Sequence, residues 1–128
     1  MRILLDTHAF LWWVANDPNL SATAHQTIGN GSNEVFFSAA SSWEIAIKAQ
    51  IGKLMLPANL EQFISSQLAQ NNFTVLPIHI SHTLGTYRLP MHHRDPFDRI
   101  LVAQSQLEAI PIVTADPLIA QYGVKTIW

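Results

Sequence analysis

The chain has 128 residues, with nine Asp and Glu, seven Lys and Arg, six His, no Cys and a formal net charge of −2. Charged residues make up 12% and apolar residues 48%, so charge is about half the ~25% of an average soluble domain. This excludes a disulfide framework, a thiol nucleophile and a thiolate metal site, and it lacks the basic excess of a non-specific duplex binder.

The elements expected in chain order begin with a buried strand at Arg2 to Leu5, closed by Asp6-Thr7. His8 to Ala15 reads as a helix apolar enough to pack on more than one side, stopped by Asn16-Asp17-Pro18. Ser21 to Ile28 is a weaker helix, and Glu34 to Ser38 a strand. From Ala40 to Ile51 the period is helical, with Gly52 as the stop signal. Leu60 to Ala69 is a helix, Phe73 to Ile78 a strand carrying Pro77, and Ile80 to Tyr87 a short helix. Asp95-Pro96 opens a strong helix running to about Ala109. A strand at Pro111 to Thr114, a helical turn at Pro117 to Tyr122 and a strand at Val124 to Ile127 finish the chain.

Alternating strands and helices predict one α/β domain over residues 1–128, a three-layer sandwich on a mostly parallel sheet of about five short strands. The longest apolar run, Ala9 to Ala15, is far below the ~18 residues of a membrane span. Asp6 interrupts the apolar N-terminus where a signal peptide would continue. A cytoplasmic protein is the expectation.

In a parallel sheet, ligands bind beyond the carboxyl ends of the strands, so acids at those places carry the most information. Asp6 and Asp116 both follow strands, and each also suits a helix N-cap. Asp95 is explained as a cap followed by proline, whereas Asp98 shares a stripe with Leu101, Val102 and Ser105 and points toward a site. Glu44 shares a face with Ala40, Ile47 and Ile51, where a lone carboxylate is costly; a pair with Lys48 at i,i+4 is the purely structural alternative. Converging carboxylates repel unless a cation neutralises them, and Mg²⁺ or Mn²⁺ suits an oxygen-only site.

Other chemistries fit less well. A haloacid-dehalogenase phosphatase needs a second Asp two residues after the first, where His8 stands. Gly29-Asn30-Gly31 is followed by no Gly-Lys-Ser/Thr, and no Ser lies in a nucleophile elbow. His92 and His93 sit in a loop before Arg94, open to a solvated role or to substrate contact.

The order of motifs resembles a PIN domain, and within it the VapC-like toxin ribonucleases of bacterial toxin–antitoxin pairs. The likeness rests on Ile3-Leu4-Leu5-Asp6-Thr7-His8 and on Ser42-Trp43-Glu44-Ile45-Ala46-Ile47-Lys48 with Gly52-Lys53-Leu54. It continues through the run from His92 to Gln104, which contains Asp95-Pro96-Phe97-Asp98-Arg99, and through Val113-Thr114-Ala115-Asp116. The resemblance implies catalytic and metal-binding roles for Asp6, Glu44 and Asp98, with Asp116 in the variable fourth place. Many relatives have Thr-x-Asn there with an acid three residues beyond; here those positions are Asp116 and Ile119. It further implies Mg²⁺- or Mn²⁺-dependent cleavage of single-stranded RNA, with Thr7, Thr114, Arg94, Arg99 and His93 near the substrate. A homodimer and a cognate antitoxin are the implied partners. The apolar helix supports a partner independently: its Trp12 and Trp13 exceed what one face of a small domain buries, and aromatic residues are enriched at interface cores. Two alternatives stand beside the toxin: a PIN-fold binding module with a silent site, and a nuclease that processes RNA.

Overall fold

The computed structural model describes all residues, Met1–Trp128. Its strands are β1 (Arg2–Leu5), β2 (Glu34–Ser38), β3 (Thr74–Leu76), β4 (Ile112–Val113) and β5 (Thr126–Ile127). The helices are α1 (Thr7–Val14), α2 (Ala22–Gly29), α3 (Ala39–Gln50), α4 (Leu60–Asn71), α5 (Ile80–Gly85), α6 (Pro96–Glu108) and α7 (Pro117–Ala120). A turn of 3-10 helix, Thr86–Arg88, follows α5.

The five strands form one sheet in the order β3-β2-β1-β4-β5, every neighbouring pair parallel. Side chains alternate across a strand, and the core divides accordingly. Ile3, Leu5, Val35, Phe37 and Val113 point to the face covered by Phe10 of α1, Ile45 of α3 and Phe63 of α4. Leu4 and Ile112 point to the other face, against Leu101 and Val102 of α6 and Ile119 of α7. This is the expected three-layer α/β sandwich.

Most elements start where their caps dictate. The side chains of Asp6, Ser21, Ser38, Asn59, Asp95 and Asp116 each accept a main-chain N–H at a helix start. Gly52, with φ +79°, turns the chain out of α3 in a conformation costly for other residues. Three strands are shorter than expected. β3 stops at Leu76 because Pro77 has no N–H to pair, which a strand at the sheet edge tolerates. β4 and β5 shrink to two paired residues each. The helix expected over Ile80 to Tyr87 gives way to the tighter turn at Thr86.

The topology sets the position of the site. From central β1 the chain builds β2 and β3 to one side, then returns to place β4 and β5 on the other. Such a reversal opens a crevice at the carboxyl ends of the two strands flanking it, here β1 and β4.

Candidate active site

Asp6 leaves β1 and caps α1, its Oδ1 accepting the Ala9 N–H at 2.7 Å. Its own N–H donates to the Val113 carbonyl at 3.1 Å, tying it to β4. The side chain is 5% exposed, and burial is the main reason its carboxyl is held above the ordinary range. Hydrogen bonds from the Thr114 side chain and the Ala9 amide oppose the rise, while the charge of Asp116 adds to it. Asp6 is thus the cap of α1, and it is also a buried carboxylate at the end of β1.

Glu44 comes from α3 and is also 5% exposed. The Thr7 hydroxyl donates to its Oε1 at 2.7 Å and lies 3.0 Å from Ser41 Oγ. Lys48 Nζ sits 2.7 Å from Oε2, so the helical pair exists inside the site rather than instead of it. Of the face expected around Glu44, Ala40 is buried, but Ile51 lies past the helix end and is 58% exposed.

Asp98, in the first turn of α6, is pushed up to about 7, first by burial, then by the charge of Asp95. His93 pulls the other way, and Glu44 and Asp6 add repulsion. Asp116 caps α7, Oδ1 accepting the Leu118 N–H at 2.8 Å. Asp98 thus feels the charges of Glu44 and Asp6, and Asp6 feels that of Asp116. Asp95 remains a cap, with Oδ1 accepting the Phe97 and Asp98 amides at 2.8 and 3.2 Å.

His93 joins the cluster from the loop before α6. Its Nε2 lies 2.8 Å from Asp116 Oδ2 and 3.1 Å from Asp98 Oδ2. The ring is turned inward to the acids rather than out to solvent. With Asp98 and Asp116 it forms a group whose ligand atoms all lie within 4.8 Å of one another.

Other residues expected near the substrate have partners of their own. Arg99 is engaged by its own loop. Its Nη1 donates to the carbonyls of Pro90 (3.0 Å) and His93 (3.4 Å) and to the Tyr122 hydroxyl (3.1 Å). Its Nη2 donates to the carbonyls of Thr86 (2.9 Å) and Leu89 (3.4 Å). A guanidinium fork so engaged clasps a loop. Thr114 is buried and accepts the Asp116 N–H at 3.0 Å, a brace beneath that acid. Thr7 likewise serves Glu44 from a buried position. Arg94 is exposed.

The two tryptophans of α1 separate. Trp13 donates its Nε1–H to Asn71 Oδ1 at 2.9 Å and stacks near His25, a contact within the fold. Trp12 packs near His8 and Trp128 and lines a groove of about 460 Å³ with Leu11, Val14 and the Leu54–Pro57 segment.

Residues 3–125 match the PIN domain family. The chain belongs to the PIN family. PIN domains are nucleases, and in this one the acids gather at the carboxyl edge of the sheet. No curated protein shows significant sequence similarity to the chain. Among solved structures, VapBC2 from Rickettsia felis, bound to a DNA fragment from its promoter, superposes with a TM-score of 0.69 at 11% identity, covering 98% of this PIN domain and 97% of that chain. VapBC-1 from nontypeable Haemophilus influenzae gives 0.66 at 16% identity, covering 98% and 96%. FitAcB from Neisseria gonorrhoeae gives 0.60 at 16% identity, covering 97% and 95%. At these identities the likeness is one of fold. No helix of the PIN domain is long and apolar enough to cross a membrane.

Proposed function

We propose that this PIN domain is a metal-dependent endoribonuclease that hydrolyses phosphodiesters of single-stranded RNA and serves as the toxin of a toxin–antitoxin pair. The observation that best supports the reading is that Asp98 feels the charges of Glu44 and Asp6, and Asp6 that of Asp116, while ligand atoms of Asp98, Asp116 and His93 lie within 4.8 Å of one another. Burying mutually repelling carboxylates is costly, and Asp6 and Asp98 show that cost as raised ionisation ranges. Binding of a cation offsets it. The donor set is oxygen-rich, as Mg²⁺ and Mn²⁺ require.

Asp6, Glu44 and Asp98 would hold the ion, with Asp116 as fourth ligand. An ion there supplies Lewis acidity at a phosphoryl oxygen and lowers the pKa of an attacking water. The chain's own residues set the geometry: α1 and Thr7 fix the first two carboxylates, and Asp95 and Thr114 fix the backbone from which the others project. Arg94, exposed in the loop before α6, is the cation proposed to meet phosphates.

The groove beside Trp12 supports the partner half of the reading. It is mostly apolar, carries Lys48 and Lys53, and suits the apolar face of a partner helix. A cognate antitoxin is the proposed occupant, and a homodimer the proposed free form.

Cleavage of single-stranded RNA in Mg²⁺ tests the enzyme. Wild-type protein should cut and lose activity with chelator, while Asp6→Asn and Asp98→Asn should be inert; wild-type rates in both variants would sink the assignment. Mn²⁺ titration by calorimetry should show binding that Glu44→Gln weakens, whereas binding indifferent to Glu44 favours the silent module. Growth arrest on expression, relieved by the neighbouring reading frame, tests the toxin role.

A further inference from the structure

His93 stands close enough to two proposed metal ligands to be taken for a third. Its hydrogen bonds argue otherwise. Nδ1 accepts the main-chain N–H of Asp95 at 3.1 Å, so that nitrogen presents a lone pair. A neutral imidazole has one hydrogen, which must then sit on Nε2, the nitrogen facing Asp116 and Asp98. A ligating histidine shows the opposite arrangement: one nitrogen binds metal while the other donates its hydrogen to an oxygen. Here the far nitrogen meets a donor. Binding metal through Nε2 would move the hydrogen to Nδ1 and set two N–H groups against each other.

The arrangement is held from several sides. The His93 N–H donates to the Tyr122 hydroxyl at 2.8 Å, and that hydroxyl accepts from Arg99. Arg99 also holds the His93 carbonyl. The ring is therefore presented to the acids by a clasped loop, with its side chain 13% exposed.

We infer that His93 is a positioning residue: its Nε2–H holds the Asp116 carboxylate in place for the cation, beside Asp98, and is not itself a ligand. This rests on the metal-site reading proposed above. Each carboxylate oxygen has two lone pairs, so Oδ2 of Asp116 can accept from His93 and still face a cation. Oδ1 of Asp116 is already given to Leu118. Without the imidazole donor, the Asp116 carboxylate would be oriented only by the Leu118 N–H at Oδ1.

Two measurements on the full chain test this. Long-range ¹H–¹⁵N correlation spectra should show His93 as the Nε2–H tautomer both without metal and saturated with Mg²⁺. A switch to Nδ1–H on saturation would make it a ligand and overturn the inference while leaving the metal site standing. Calorimetry with Mn²⁺ should show a loss of affinity of about 10- to 100-fold in His93→Ala, the usual cost of an outer partner. His93→Gln, whose amide N–H can donate from the same region, should recover most of it. Equal loss in both variants, or none in His93→Ala, overturns the positioning role. A wild-type protein that binds neither ion overturns the metal reading itself, and this inference with it.

Discussion

On one side of the crevice, Asp6 and Glu44 take their partners from regular structure: a helix amide, a threonine in the first turn of α1, and a lysine one turn along α3. On the other, Asp98 and Asp116 share an imidazole delivered by a loop, and the loop is held by Arg99 and Tyr122. The first side is built as soon as β1, α1 and α3 pack. The second is built only when the Leu89–Arg94 loop closes on α6. The contrast separates residues whose loss removes chemistry from residues whose loss removes placement.

The largest effect should come from Asp98. Asp98→Asn should reduce RNA cleavage by more than the ~100-fold that an outer partner can cost. The same substitution should raise the melting temperature of the metal-free protein at pH 8. Burial and the charges of Asp95, Glu44 and Asp6 all oppose an ionised carboxylate there, and a neutral amide removes that opposition. Opposite signs in the two assays identify a side chain kept for function at a cost in stability. A variant that is both inactive and less stable would place Asp98 in the scaffold instead.

Arg99 tests the looped side. Arg99→Ala removes a guanidinium that reaches four carbonyls and a hydroxyl. It should cost about 2–4 kcal/mol in urea denaturation, since charge-assisted hydrogen bonds are among the stronger ones. Arg99→Lys should recover little, because a single ammonium cannot span the acceptors that a planar fork serves. If lysine restores full stability, only charge matters and the clasp is wrong.

The same contrast explains what the sequence could reveal. Asp6, Asp98 and Asp116 were legible because each follows a strand or opens a helix, and such positions fix where a side chain emerges in a parallel sheet. Lys48 was legible as a partner of Glu44 because helical spacing is local. His93 was not, since its partner Asp116 lies 23 residues on and meets it only through the shape of a loop. Arg99 resembles a substrate contact in the sequence because nothing in its spacing shows that loop carbonyls surround it. The strand order followed no local signal either, and β4 and β5 are too short to show a period. What regular geometry dictates could be read; what loop closure dictates could not.

A smaller effect is expected from pH. The Asp98 carboxyl titrates at about 7 in the folded chain against an ordinary 3.8, and Asp6 is shifted the same way. The folded state therefore holds protons that the unfolded state has already released. The associated stability is complete below the ordinary value and is lost as pH rises through about 7. Thermal melts of metal-free protein should fall between pH 5.5 and 8, and saturating Mn²⁺ should flatten or reverse the slope. A flat metal-free profile would show that the carboxylates are already compensated without a cation.

The smallest effect, and the finest test of the contrast, comes from Asp95, whose carboxylate does two things at once. It caps α6 by accepting two amides, and its charge is the second cause, after burial, of the rise in Asp98. Asparagine keeps the cap and discards the charge; alanine discards both. Asp95→Ala should cost about 1 kcal/mol, within the ~0.5–2 kcal/mol typical of a lost N-cap. Asp95→Asn should cost less, because asparagine caps as well as aspartate. Both should move the Asp98 transition toward lower pH without restoring the ordinary value, since burial remains. The steep part of the metal-free stability profile should move with it. Should Asp95→Asn leave that profile unmoved, burial alone governs Asp98, and the loop side of the site gains no electrostatic contribution from the residue that starts its helix.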